Sequence, residues 1–250
     1  MPDGMAYRSY HSGNTGDRMT HYDDIGSKSA LKNTLEQFYG NENEFISIMY
    51  NDKVPTALVN ERGSHNAAHA KGVLHCKGDD CYFIQHSWPG FPPREGAFAT
   101  GAPKNAQHFL CVSLSLTEAD SLFKVWYTIR PNFYSRFFPD PDRIFSSDWL
   151  EKIRGETFME GIVEEVETIE IKDSVVINAF YKSRESDKVV FNLLSKQHSS
   201  TEFWITSWLT GRTVPINYSK EYPYYANLFT TSEVNDESEE MTCFTDSLFW

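Results

Sequence analysis

Apolar residues recur along this chain at two spacings, and the spacing changes wherever turn-forming residues fall. Leu31, Leu35 and Phe38 lie on one helical face, which predicts a helix over 27–39 with Ser27 as its cap and Gly40 as its stop. The apolar run at 45–50 predicts a strand, ended by Asn51, Asp52 and Pro55. Two further strands are expected near 69–76 and 81–87, joined by the turn Lys77-Gly78-Asp79-Asp80, with a proline-rich exit at 88–93. A buried strand follows at 109–116. Thr117 with Asp120 reads as the cap of a helix that ends before Pro131. A short helix over 147–154 is closed by Gly155.

The second half repeats the theme, with strands near 162–171 and 174–182, a helix near 186–197 and a strand near 201–208. Trp204 and Trp208 are expected in the core and at its edge. The first 25 residues are polar and read as an irregular arm, as does the chain after Gly211, where an acidic run at 233–240 reads as a solvated loop. Hairpins with intervening helices, in two successive sets, predict a mixed α/β (α+β) architecture with two similar lobes.

The length, 250 residues, suits one domain or two fused halves of about 120 residues each. Abundant aromatics (18 Phe, 13 Tyr and 6 Trp) suit a sheet-rich interior. No run of 18 apolar residues exists, so no membrane-spanning helix is expected, and the N-terminal stretch has no apolar core of a signal peptide. The net charge of −12 opposes nucleic-acid binding at neutral pH. Protonating the eight histidines brings it to −12 + 8 = −4, so a polyanion repelled at pH 7 is tolerated near pH 5.

The chemistry concentrates in one stretch. In a strand, His69 and Lys71 of His69-Ala70-Lys71 would share a face, about 7 Å apart, so both are expected to be buried or both open. Lysine supplies a positive charge for a phosphate oxygen. Histidine supplies a nitrogen that attacks phosphorus or protonates a leaving oxygen. The pair is half of a metal-free phosphodiesterase site, and a complete site needs a second histidine across the phosphorus. His75-Cys76-Lys77 has the same spacing but lies farther along the strand and is assigned to the turn. Cys76 and Cys81 flank that turn and are a candidate disulfide, whereas Cys111 and Cys243 carry no pairing assignment. Asn217-Tyr218-Ser219 is a glycosylation sequon.

The stretch 64–93 continues from His69, Lys71, Gly72 and Val73 through the hairpin to His86, Ser87, Pro89, Phe91, Pro92 and Pro93. Tyr50-Asn51-Asp52 with Pro55 precedes it, and Phe109-Leu110-Cys111-Val112-Ser113 follows. In these residues the chain resembles the deoxyribonuclease II family, and more loosely at 180–182, at Phe203-Trp204 and around Asn217. The resemblance implies a phospholipase D-like fold, one domain over 1–250 with pseudo-symmetric lobes of mixed sheet and flanking helices at 1–155 and 156–250. Each lobe of such a fold contributes one His-x-Lys. It further implies cofactor-free, metal-independent cleavage of DNA at acid pH through a phosphohistidine, with 3′-phosphate products, in a secreted or lysosomal protein. His69 and Lys71 are then catalytic, and His86 and Ser87 are cleft residues. Trp88, Phe91 and the prolines shape the cleft wall.

The chain also departs from the family pattern. Asp246-Ser247-Leu248-Phe249-Trp250 stands where the second motif belongs, with Ser247 for the histidine and Phe249 for the lysine. Serine does not shuttle the proton, and phenylalanine does not balance phosphate charge. On this resemblance the family's signal peptide, first core strand and C-terminal segment, and the cysteine that pairs with Cys111 in the family, are expected to be missing here, as in a fragment or a diverged member. Three readings follow. One is an acid endonuclease completed by two chains pairing their His69-Lys71 halves across a two-fold axis. Another is a secreted protein that has lost catalysis and binds nucleic acid or a protein partner through the old cleft, as monomer or homodimer. The third is a zinc site from His65, His69, His75, Cys76, Cys81 and His86, whose spacing matches no compact zinc motif, so no metal is expected.

Overall fold

The computed structural model describes residues 7–9, 20–22, 25–26, 29–39, 41–55, 67–94, 107–139, 147–171, 175–187, 190–198, 203–206, 224–226 and 244–245. The architecture is mixed α+β. The chain divides into two compact units, residues 1–67, 71–119 and 131–146 in the first, and 68–70, 120–130 and 147–250 in the second.

In the first unit, β1 (Tyr7–Ser9) and β2 (Thr20–Tyr22) form a short antiparallel ladder. This corrects the expected irregular arm. Helix α1 (Ala30–Glu36) starts later than the periodicity suggests. Its cap is Ser29, whose Oγ accepts the Lys32 N–H (2.9 Å) and donates to the Ile25 carbonyl (2.7 Å). Ser27, the expected cap, lies outside the described residues.

Strands β3 (Ile46–Asn51), β4 (Lys71–Lys77), β5 (Asp80–His86) and β6 (Phe109–Ser115) pair antiparallel in succession. After helix α2 (Leu116–Ile129), β7 (Phe133–Phe137) returns to the other side of β3, giving the order β6-β5-β4-β3-β7. One face of this sheet carries Met49, Val73 and Ile84, which pack with Leu31, Leu35 and Phe38, with Trp88 and Phe91 beyond β5, and with Tyr134 of β7. Within the 88–93 exit, Trp88 and Phe91 stack 4.8 Å apart and are buried in this core, whereas Pro89 is exposed.

The cap of α2 also differs from expectation. Glu118 N–H donates to Ser115 Oγ (3.2 Å) while the Glu118 carboxylate accepts the Ser115 N–H, a capping box that starts the helix directly after β6. Asp120, expected in that cap, instead accepts a hydrogen bond from Ser147. Arg130, in left-handed backbone (φ 59°), ends the helix before Pro131.

In the second unit, Ser147 Oγ accepts the Leu150 N–H (3.0 Å) and caps α3 (Asp148–Arg154), which closes at Gly155. Strands β8 (Glu164–Ile171) and β9 (Val175–Lys182) form an antiparallel hairpin. Lys124 and Ser121 of α2 bond the Glu167 carboxylate of β8 at 2.6 and 3.0 Å. Helix α4 (Val190–Gln197) and a three-stranded parallel sheet follow, with β10 (Phe203–Thr206) between β11 (Tyr224–Ala226) and β12 (Phe244–Thr245). The last two strands fall where an irregular segment was expected. Among the described residues no helix is long and apolar enough to cross a membrane.

Candidate functional site

The first unit gathers polar chemistry at one end of its five-stranded sheet. Asn51, the last residue of β3, is the register partner of Lys71, the first residue of β4. Gly72 pairs with Gln85, so Lys71 lies beside His86 at the end of β5, and His86 pairs with Phe109 at the start of β6. Strand alternation puts Asn51, Lys71, His86 and Phe109 on the same face as Met49, Val73 and Ile84. A charged lysine and a histidine thus cap an apolar core.

Lys71 is only 2% exposed, and its ammonium is ion-paired with the Asp52 carboxylate, which is 25% exposed. Asp52 is held in place by its neighbours. Asn51 Oδ1 accepts the Lys53 N–H (2.9 Å), an Asx turn around Asp52. Asn51 Nδ2 donates to the Trp88 and Phe91 carbonyls at 3.0 and 2.9 Å, tying β3 to the chain beyond β5. Asn132 Nδ2 in turn donates to the Asn51 carbonyl (2.9 Å).

His86 is fully buried, with Phe91 edge-on at 5.4 Å and Phe109 at 5.9 Å. Burial pushes its pKa down to about 3, and the charge of Lys71 and the neighbouring His108 push the same way. Its Nδ1 accepts the Trp88 N–H (3.2 Å), so the neutral ring is assigned its proton on Nε2. That Nε2 has no hydrogen-bond partner among the described residues. His86 is therefore a neutral, buried N–H donor beside a lysine. Ser87 Oγ donates to Gln107 Oε1 (2.6 Å) and accepts the His108 backbone N–H (3.0 Å). His108 is half-buried, and its pKa is lowered by burial first and by Lys71 second.

His69 does not follow the strand period. The Ala70 N–H donates to the Ala68 carbonyl (2.8 Å), a γ-turn centred on His69, and β4 begins only at Lys71. The expectation that His69 and Lys71 are buried alike is therefore corrected: His69 is exposed and Lys71 buried. His75 is corrected too. It belongs to the core and not to the turn, stacked on Phe38 at 4.0 Å, with Tyr82 and Phe45 edge-on. Burial lowers its pKa to about 3. Lys77 is exposed and paired with Glu44. Cys76 and Cys81, register partners in the hairpin, are joined by a disulfide. Among the described residues no group of three or more His, Cys, Asp or Glu side chains is arranged to hold a metal. Ser247, Phe249, Asn217, His65 and Trp208 lie outside the described residues, as does the Trp204 side chain.

Sequence reasoning passed over Asn51, Asp52 and His108 as functional residues. Asn51 and Asp52 read as a strand stop and as part of the family resemblance, with no role in the site. Pairing the strand ends in register, 51 with 71 and 86 with 109, is the signal that brings them to the site.

The fold and site define a mixed α+β protein with a buried lysine and a buried neutral histidine at a sheet end. The sequence profile of deoxyribonuclease II matches residues 1–246, and the chain belongs to the deoxyribonuclease II family. It is 34% identical over 120 residues to deoxyribonuclease-2-beta of Rattus norvegicus, covering 46% of this chain and 33% of the relative. It is 23% identical over 222 residues to deoxyribonuclease-2 of Caenorhabditis elegans, covering 79% and 59%. With deoxyribonuclease-2-alpha of Bos taurus it shares 27% identity over 185 residues, covering 70% and 50%. The chain thus spans about a third to three fifths of the length of these relatives.

Proposed function

We propose that this chain binds the phosphodiester backbone of DNA at acid pH and carries one half of a metal-independent, cofactor-free nuclease site, with turnover strongly impaired. The observation that carries the reading is Lys71: an ammonium held at the buried end of a sheet, beside the neutral N–H donor His86, in a family named for deoxyribonucleases. Lys71 takes a phosphate oxygen, and His86 donates to a second oxygen. His69 is the half-site histidine. In the complete reaction one histidine attacks phosphorus while the other protonates the departing 5′-oxygen, and water then cleaves the P–N bond, leaving a 3′-phosphate.

Ser247 and Phe249, standing where the second histidine and lysine belong, support the impairment. Losing one positioned proton carrier typically costs about 10²–10⁴-fold in rate. They also favour a second reading, a binding protein that takes DNA or a protein partner through the same cleft without turnover. Placement in two pseudo-symmetric lobes, a secreted or lysosomal location and glycosylation at Asn217 belong to the same proposal.

Binding of a fluorescent DNA duplex, followed by anisotropy at pH 5 and pH 7.5, tests the reading. Binding is expected at pH 5, at least about tenfold weaker at pH 7.5, and similarly weakened by Lys71→Met at pH 5. Equal affinity of the folded Lys71→Met variant at pH 5 removes Lys71 from the site.

A further inference from the structure

Lys71 is matched at rest by a negative partner, although the proposed reading asks it to receive an anion. We infer that Asp52 is a built-in counter-ion that holds the place of the phosphate on Lys71, so that an entering phosphodiester must displace the carboxylate. This inference rests on the reading of Lys71 as the phosphate contact and assigns Asp52 the control of that contact.

Three observations carry it. The ion pair is asymmetric: Lys71 is 2% exposed and cannot turn away to water, whereas Asp52 is 25% exposed and has a solvent side to move toward. The carboxylate is positioned by construction, because the Asx turn from Asn51 to Lys53 fixes the backbone on both sides of it. That turn is locked in place by the two Asn51 amide bonds to the Trp88 and Phe91 carbonyls, the Asn132 bond to the Asn51 carbonyl, and the Gly90 N–H bond to the Lys53 carbonyl.

The third observation is the local charge. His86 and His108, the histidines whose charged forms Lys71 opposes, are held toward neutrality by burial and by Lys71 itself. Lys71 and Asp52 then neutralise each other as a pair, with the exposed Lys53 beside them. A phosphate that replaced the carboxylate would keep the lysine paired, gain the His86 Nε2–H, and release Asp52 to water. Asp52 is a positioning and gating residue and makes no bond to phosphorus.

The test uses dimethyl phosphate as a diester probe and inorganic phosphate beside it, titrated at pH 7 into the full chain by NMR. Asp52→Asn removes the competing charge at nearly constant volume, and the expected result is an affinity at least about tenfold above wild type. The gain is expected to vanish in Asp52→Asn/Lys71→Met. Asp52→Ser serves as a second variant with the same expected gain, should Asp52→Asn fail to fold. A loss of structure does not raise affinity, so the gain separates gating from a merely structural role. Unchanged or weaker binding in a folded Asp52 variant overturns the inference, as does a gain that survives loss of Lys71. Wild-type binding that needs Lys71 yet ignores Asp52 leaves the reading of Lys71 standing and removes only the gate.

Discussion

Phe38 lies almost flat on His75, ring centroids 4.0 Å apart and planes 11° from parallel. The stack buries a titratable ring between the turn after α1 and the sheet, with neither ring nitrogen hydrogen-bonded among the described residues. His75 therefore folds neutral, with its pKa lowered to about 3 by burial, against roughly 6.5 in an unfolded chain.

The unfolded chain then binds more protons in mild acid than the folded one. The stability contributed by neutral His75 is complete above about pH 6.5 and is lost progressively as pH falls toward 3. His86 adds a term of the same sign. Between pH 7 and pH 5 each is expected to cost about 2 kcal/mol. Urea denaturation at the two pH values should show this fall, and His75→Leu should remove about half of it. An unchanged fall in that variant contradicts the assignment. The acid that would admit a polyanion also loosens this core.

Asn51 links the site to the core through two donated bonds and one accepted bond. Asn51→Asp keeps the shape but points a carboxylate oxygen at two carbonyls. It should destabilise by about 3 kcal/mol or more at pH 7, beyond Asn51→Ala. Chemical denaturation compares the two variants; equal stability of Asn51→Asp and wild type contradicts the bonding described.

Gly72 lies under the Tyr50 ring. A Cβ there would stand 2.6 Å from Tyr50 Cζ and 3.0 Å from Cε1, closer than packed atoms approach. Gly72→Ala is expected to cost about 2 kcal/mol through overpacking. Adding Tyr50→Phe should restore part of it, because the hydroxyl is the nearest group. A double-mutant cycle in thermal denaturation reads the coupling, and simple additivity argues against the contact.

The Cys76–Cys81 disulfide closes a loop of only five positions in sequence. Loop-closure entropy gives it roughly 2 kcal/mol. Replacing both cysteines with serine should lower the melting temperature by several degrees without unfolding the chain at 25 °C. Loss of the fold in that variant would show that the bridge carries more than its loop.

Legibility in the sequence followed local signals. The hairpin β4–β5, the strand β3, the helix α3 with its Gly155 stop and the hairpin β8–β9 all combine a clear period with turn residues at their ends. The strands β1 and β2 carry no alternating apolar face, and β7 is five residues between Pro131 and Pro139, so the period was too short to register. The γ-turn at His69 depends on a single backbone bond and leaves no mark in composition. His75 reads as a turn residue beside Lys77 until α1 is laid over it. The pair of Lys71 and Asp52 requires knowing that Asn51 and Lys71 are register partners, which is tertiary information.

The proposed half-site of metal-independent phosphodiester chemistry depends on His69 and Lys71. Its most direct test is nicking of supercoiled plasmid from pH 4 to 8 with EDTA present, using wild type, His69→Ala and Lys71→Met beside an intact relative. EDTA-resistant nicking confined to acid pH is expected, roughly 10²–10⁴-fold slower than the relative's and lost in both variants. Nicking at the relative's full rate, nicking abolished by EDTA, or nicking that survives His69→Ala would contradict it.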